Sequence, residues 1–243
     1  GIMSGTSMDG IDFSLLRTDG KNYAEILIEK NYIYSENYRK KLKTLIKNLP
    51  NSKYNKLRFA KKNEEFITKN FLQYIRKFIK IIKPKFNKID LIGLSGQTIF
   101  HNPMKGYSIQ LASGKKINKK LNIPTVGNFR ENDLINGGQG APIGSFYHKY
   151  ILNKIDNKAC IINLGGIANI TYAKKEKIIS FDMGPANALV DDLCTYFYKK
   201  KYDKNGLFAK KGNIIKIIFD NYKEDLYFKK KYPKSLDRNY FNT

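Results

Sequence analysis

The hydrophobic residues near the start of the chain fall at every second position. Ile2 and Met3 precede a polar turn, Gly5-Thr6-Ser7-Met8-Asp9-Gly10, after which Ile11, Phe13 and Leu15 alternate with Asp12 and Ser14. A period of two places alternate side chains on opposite faces, so this stretch predicts a β-hairpin. A third strand is expected over Ala24 to Tyr34. The period then changes. An amphipathic helix is expected over Glu36 to Leu49, ended by Pro50, and a longer one over Leu57 to Ile82. In the longer one Leu57, Ala60, Ile67, Phe71, Ile75, Phe78 and Ile82 recur at steps near three and four, which collects them on one helical face before Pro84 stops the helix.

From Ile89 the pattern becomes strand, turn and helix in alternation. The apolar run Ile89 to Leu94 leads into the polar Ser95-Gly96-Gln97-Thr98, which is expected as a turn at the carboxyl edge of a sheet, where open α/β proteins bind ligands. A strand over Thr125 to Phe129 leads to Arg130 and the glycine-rich Asn136 to Pro142, with a helix following to about Asn153. A second hairpin is expected from Cys160 to Tyr172 around Leu164-Gly165-Gly166. A strand over Ile178 to Phe181 then ends in Asp182-Met183-Gly184-Pro185, and a helix follows with Leu189, Leu193, Tyr196 and Phe197 turned inward. The two glycine hairpins each open a mixed α/β lobe. The boundary is placed near Thr125, giving lobes 1–125 and 126–243.

The composition narrows the function classes. The 243 residues contain 42% hydrophobic side chains, enough for a packed core. No apolar run approaches the roughly 18 residues of a membrane helix, and the first residues lack a signal peptide's pattern. A cytoplasmic protein without a membrane partner is expected. There is no initiator methionine and almost no first strand, so residues are expected to precede Gly1. Cys160 and Cys194 lie in apolar segments without a neighbouring ligand residue and are expected as buried thiols.

The net charge of +24 raises the question of nucleic acid. Arginine occurs only at Arg17, Arg39, Arg58, Arg76, Arg130 and Arg238, while lysine is scattered through every segment. A whole-chain lysine bias differs from the arginine-rich stripe of a dedicated binding surface, so no specific nucleic-acid partner is expected. A basic polyanion-binding protein is the weaker alternative, resting on the charge alone.

Candidate chemistry sits in the first turn. Glycines let backbone amides approach a phosphate, hydroxyls donate to its oxygens, and a carboxylate holds magnesium through water. Gly5, Thr6, Ser7, Met8, Asp9, Gly10, Ile11 and Asp12 supply all three, although the same residue types make ordinary turns. His101 and His148 have no metal-ligand partner at helical spacing, and a structural hydrogen bond is expected of His101.

The stretch Met3 to Asp12 resembles the ATP-binding motif of the anhydro-N-acetylmuramic acid kinases, members of the sugar kinase, Hsp70 and actin superfamily. Five further segments are similar to that family in order: Gly96 to Pro103; Phe129-Arg130 with Asp133 and Gly137 to Pro142; Asn163 to Asn169; Phe181-Asp182 with Gly184-Pro185 and Asn187; and Pro233-Lys234-Ser235 with Arg238. The resemblance implies a two-lobed actin-like (ribonuclease H-like) ATPase fold, with the second lobe incomplete because family members continue well past Thr243. It also implies an ATP- and Mg2+-dependent kinase of peptidoglycan recycling that opens the ring of an anhydro-amino sugar and phosphorylates the freed O6. Family members are often dimers, so a homodimer stays open.

By the same resemblance Asp182 is the catalytic base, and the glycine turns at Gly5 to Asp12 and Gly165-Gly166 hold the nucleotide, with Asp9 toward the metal. Gln97, Arg130 and Asp133 shape the sugar site, and the first turn, Gln97, the second turn and Asp182 line one cleft. Two plain structural roles compete. Pro185 at a helix start makes Asp182 a candidate N-cap, and a cap or turn role competes for Asp133. The chain departs from the family's usual residues at Ser95, Ala112, Ser113, Asn128, Met183 and Ala186. The Ala186 replacement is expected to cost most if that backbone has a positive φ angle. These departures motivate another alternative, a relative that binds ATP or sugar without turnover.

Overall fold

A computed structural model describes residues 1–5, 7–155, 158–174, 177–236 and 240–241. The chain is a mixed α/β protein that divides into two compact units, Gly1–Gly137 and Gly138–Thr243.

The first unit contains β1 (Ile2–Ser4), β2 (Gly10–Thr18), β3 (Ala24–Ile33), α1 (Glu36–Lys47), α2 (Lys53–Ile82), β4 (Ile92–Asn102), β5 (Tyr107–Leu111), α3 (Gly114–Leu121), β6 (Thr125–Val126) and α4 (Glu131–Ile135). Its six-stranded mixed sheet has the order β3-β2-β1-β4-β5, with β6 also paired to β4. The β1–β4 and β4–β6 pairs are parallel, and β1–β2, β2–β3 and β4–β5 are antiparallel. Serine hydroxyls start both long helices: Ser35 accepts from the Tyr38 N–H and Ser52 from the Asn55 N–H.

The buried face of α2 carries Ala60, Ile67, Phe71, Ile75, Phe78 and Ile82, as its spacing predicts. Leu57, expected on that face, is 47% exposed in the first turns of the helix. Phe78 meets Phe13 of β2 with ring centroids 5.0 Å apart, which seats the helix on the sheet. Each fully buried large apolar side chain stabilises by about 1.5–3 kcal/mol, so this face holds the unit together more than any surface ion pair does.

Two expectations change in this unit. The residues Ser95 to Thr98 are not a terminal turn. They continue β4 to Asn102, because Ser4 pairs with Gln97 on one side and Leu111 pairs with Gln97 on the other. Gly96 makes this path feasible: its φ is +70°, and a Cβ there would lie 2.8 Å from the Leu111 carbonyl oxygen. The segment after Thr125 also belongs to the first unit rather than opening the second. Thr125 and Val126 pair with Ile92 and Gly93 of β4, and the chain crosses between units only at Gly137–Gly138.

The second unit contains α5 (Ser145–Ile155), β7 (Cys160–Leu164), β8 (Ile167–Lys174), β9 (Lys177–Pro185), α6 (Asn187–Tyr198), α7 (Lys216–Lys223) and α8 (Leu226–Lys229). Strands β7, β8 and β9 form a three-stranded antiparallel sheet in sequence order. The strand expected to stop at Phe181 runs on to Pro185, since β8 continues to pair with it through Gly184 and Pro185. Asp182 therefore lies inside β9. On α6 the buried residues are Ala188 and Cys194, whereas Tyr196 and Phe197, expected inward, are exposed. Cys160 is likewise exposed, because it sits on the outer strand β7, and only Cys194 of the two thiols is buried. Among the described residues no helix is long and apolar enough to cross a membrane.

Candidate active site

The first glycine turn joins β1 to β2 and is braced from several directions. The Met8 N–H donates to the Gly5 carbonyl at 3.2 Å, and Met8 has a φ of 55°. Its own carbonyl accepts from Arg39 Nε on α1 at 3.1 Å, and the Asp9 carbonyl accepts from the Tyr34 N–H at 2.8 Å. Gly10 is required by close packing, because a Cβ would approach the Tyr32 carbonyl oxygen to 2.6 Å. The Ser7 hydroxyl donates to Asp9 Oδ1 at 2.7 Å, and both side chains are exposed. A hydroxyl and a carboxylate are thus presented together at the tip. Met8 and Ile11, in contrast, are buried in the core, so their contribution to the turn is packing. Asp12 is exposed and accepts from Asn31 Nδ2 at 2.8 Å. Thr6 lies outside the described residues.

Gln97 reaches this turn from below. Its Oε1 is 2.7 Å from Ser4 Oγ and its Nε2 donates to the Gly5 carbonyl at 3.1 Å. Ser4 Oγ also lies 2.9 Å from the Gly10 carbonyl and accepts from Tyr34 Oη at 3.0 Å. Gln97 has no accessible surface. A side chain in that position cannot touch a sugar, so the expected substrate residue acts in this structure as the support of the glycine turn. Burial pushes the Tyr34 phenol above its ordinary range, which keeps it a neutral donor to Ser4.

Arg130 precedes α4 and is partly buried, while Asp133 is exposed on α4. His101 at the end of β4 is pushed down to about 4, first by burial and then by the Arg130 guanidinium. Its Nδ1 lies 3.1 Å from Ser108 Oγ, whose proton goes to the Phe100 carbonyl at 2.9 Å. Ser108 therefore accepts from His101, which fixes the neutral ring with its proton on Nδ1. The structural hydrogen bond expected of His101 is present.

A cavity of about 210 Å³ in the first unit is lined by Ser95, Gly96, Gln110, Ala112, Lys115 and Asn128, among others. Three positions that depart from the expected family residues, Ser95, Ala112 and Asn128, thus share one cavity. Sequence order separates them, and only the pairing of β4 with β5 and β6 gathers them. Ala112 has a φ of 128°, a region that favours glycine, whereas Ala186 has a φ of −138°. The backbone cost expected at Ala186 therefore falls at Ala112 instead.

In the second unit the turn Gly165-Gly166 connects β7 to β8. The Gly165 carbonyl accepts from the Asn187 N–H at 3.0 Å, and the Gly166 carbonyl accepts from the Ala186 and Ala188 N–H groups, each at 3.2 Å. These carbonyls satisfy the first amides of α6, whose N-cap Ala186 has no side-chain bond. Asp182 is therefore not the cap of that helix. The residue is 7% exposed, and its Oδ2 accepts from the Leu236 N–H at 2.8 Å. A carboxylate held inside a strand and bonded to a distant backbone amide is a placement with no helix-capping purpose.

An anhydro-N-acetylmuramic acid kinase family model matches residues 1–243. The chain belongs to the anhydro-N-acetylmuramic acid kinase family. It is 39% identical over 232 residues to the anhydro-N-acetylmuramic acid kinase of Pelagibacter ubique (strain HTCC1062), covering 90% of this chain and 60% of that protein. It is 35% identical over 250 residues to the kinase of Legionella pneumophila (strain Paris), with coverages of 100% and 65%. The kinase of Crocosphaera subtropica (strain ATCC 51142 / BH68) is 37% identical over 257 residues, with coverages of 99% and 65%. The chain thus spans 60% to 65% of the length of these curated relatives.

Among the described residues no group of three or more His, Cys, Asp or Glu gathers as a metal cage. The exposed Ser7–Asp9 pair fits a different use, in which a small hard cation is held through phosphate oxygens and water with one nearby carboxylate.

Proposed function

We propose that this chain carries out the reaction of its family. It would be a cytoplasmic, ATP-dependent kinase that opens the ring of 1,6-anhydro-N-acetylmuramic acid and phosphorylates O6, giving N-acetylmuramic acid 6-phosphate for peptidoglycan recycling. In this reading the two units are the lobes of an actin-like ATPase fold. The observation that carries it is Asp182: a buried carboxylate within β9, held by a backbone amide and excluded from helix capping, in the Phe181-Asp182 motif whose resemblance to the family implies the base.

The chemistry follows from that carboxylate. Asp182 accepts a proton from the water that adds to the anomeric carbon, the bond from that carbon to O6 breaks, and the freed O6 becomes the phosphoryl acceptor. ATP, when bound, supplies the phosphoryl group. By the family resemblance the turn from Gly5 to Asp12 and the Gly165-Gly166 turn would be the residues that hold its phosphates, and Asp9 would be the carboxylate toward Mg2+. Ser7 contributes a hydroxyl donor, and Gln97 holds the first turn in shape. Arg130 and Asp133 would shape the sugar site.

The test is product formation by the intact protein from the anhydro sugar and ATP, read by mass spectrometry as the 6-phosphate with ADP. Absence of product under conditions where a family enzyme turns over would overturn the reading. The grouping of Ser95, Ala112 and Asn128 around one cavity favours a second reading, in which the protein binds ATP or the sugar without turnover. Saturable binding in calorimetry with no product identifies that case.

A further inference from the structure

The Pro233-Lys234-Ser235 stretch stands apart from the turns and from the base, and the reaction as written gives it no role. In the structure it converges on Asp182. The Asp182 N–H donates to the Lys234 carbonyl at 3.1 Å, and its carbonyl accepts from Tyr227 Oη at 2.7 Å. Its carboxylate Oδ2 accepts from the Leu236 N–H at 2.8 Å. In an antiparallel strand the N–H and C=O of one residue point to the same side. Asp182 is opposed by Asn169 of β8 across the sheet, so the segment from Tyr227 to Leu236 occupies the other edge of β9 at this residue.

The segment is itself anchored. Tyr227, Leu236 and Phe241 form a buried cluster, and Tyr227 has 1% of its surface exposed. Lys234 Nζ donates to the Tyr227 carbonyl at 3.0 Å and lies 4.6 Å from the centre of its ring. The Ser235 hydroxyl donates to Gln139 Oε1 at 3.2 Å, which ties the segment to the glycine-rich loop before α5. Phe181, next to the base, stacks on Tyr232 with centroids 5.5 Å apart. Burial pushes the Tyr227 phenol upward, with the Asp182 charge adding to it, so Tyr227 stays a proton donor.

We propose that Tyr227 and the segment Lys234 to Leu236 are the positioning element of Asp182, holding its backbone N–H and carbonyl along the edge of β9 opposite β8 and its carboxylate in one rotamer. The proposal rests on the reading of Asp182 as the base. A base must be aimed to within a fraction of an ångström, and a strand fixed along one edge alone leaves its side chain free to swing. Three hydrogen bonds from one anchored segment remove that freedom. Their effect is felt by the proton-transfer step and not by nucleotide binding.

Two measurements in the intact protein test this. Tyr227→Phe keeps the ring and removes the hydroxyl bonded to the Asp182 carbonyl, and Ser235→Ala releases the segment from Gln139. Each is expected to lower kcat by roughly tenfold while leaving KM for ATP unchanged, with Ser235→Thr restoring turnover. Wild-type kcat in both variants, or a loss of kcat matched by an equal rise in KM, would overturn the proposal. Independently of turnover, Asp182→Ala removes the acceptor for Leu236 and should speed amide hydrogen exchange at Leu236 by about tenfold, whereas Asp182→Asn should not. Unchanged exchange in Asp182→Ala would overturn the clamp by itself. Full turnover by Asp182→Asn would instead remove the base assignment, and the proposal with it.

Discussion

The Ser4 hydroxyl lies 2.7 Å from Gln97 Oε1 across 93 residues of sequence, and this contact ties the first glycine turn to the central strand β4. Neither residue is exposed, and Gln97 has no accessible surface at all. A polar pair in such a place supports a conformation, because leaving either member without its partner costs about 1–3 kcal/mol.

Replacing Gln97 should therefore act on folding and on nucleotide binding together. Gln97→Leu keeps the volume but removes both bonds to the turn, at Ser4 Oγ and the Gly5 carbonyl. Ser4 Oγ keeps its bonds to the Gly10 carbonyl and Tyr34, and the Gly5 carbonyl keeps the Met8 N–H. The expected result is therefore the loss of two ordinary hydrogen bonds, about 1–3 kcal/mol in urea unfolding, with weaker ATP binding. Wild-type stability together with wild-type ATP affinity would show that the turn holds itself.

Ala112 offers a change in the opposite direction. Its φ of 128° is a conformation in which a Cβ is strained, and such strain costs of order 1–3 kcal/mol. Ala112→Gly should raise the melting temperature, with the gain reduced by glycine's greater chain entropy when unfolded. A fall in the melting temperature would mean that the surrounding strands already absorb the conformation without strain.

His101 makes the first unit sensitive to acid. Its ordinary value of 6.5 is lowered to about 4 in the folded protein, mainly by burial and further by Arg130. The unfolded chain then binds a proton that the folded chain refuses. Stability is fully present above pH 6.5 and is lost as pH falls toward 4, by at most about 1.4 kcal/mol per pH unit. Urea midpoints measured between those limits should fall with pH in the wild type and fall less steeply in His101→Gln. Equal slopes would place the acid sensitivity elsewhere.

Asp182 gives the sharpest contrast between chemistry and structure. Asp182→Asn can still accept from the Leu236 N–H, so the fold should be nearly undisturbed, while loss of the proton acceptor should lower turnover by roughly 10² or more. Asp182→Ala also strands the buried Leu236 amide and should lose about 1–3 kcal/mol of stability. Paired thermal melts and product assays separate the two effects. An asparagine variant with normal turnover would move the search for a base to Asp133.

Much of this protein was legible before folding. The period-two run from Ile11 to Leu15 and the period near 3.6 from Ala60 to Ile82 fixed strands and a helix whose buried faces are those the spacing names. The ordered motifs from Met3 to Ser235 pointed to the family, since glycine, hydroxyl and carboxylate at fixed spacing are properties of the chain itself. Other features were not local. Gln97, Tyr196 and Cys160 could not be placed by residue type, because burial depends on what a neighbouring strand or helix covers. β4 runs through Ser95 to Thr98 for the same reason: Ser4 and Leu111 supply its partners from far away in sequence. Asp182 shows the division most clearly. Sequence marked it as a carboxylate beside Gly184 and Pro185, with base and cap both open. Tertiary structure alone brought the amide of Leu236 to its Oδ2 and the carbonyls of Gly165 and Gly166 to the end of α6. A hydrogen bond between residues 54 positions apart is decided by packing, and no local pattern encodes it.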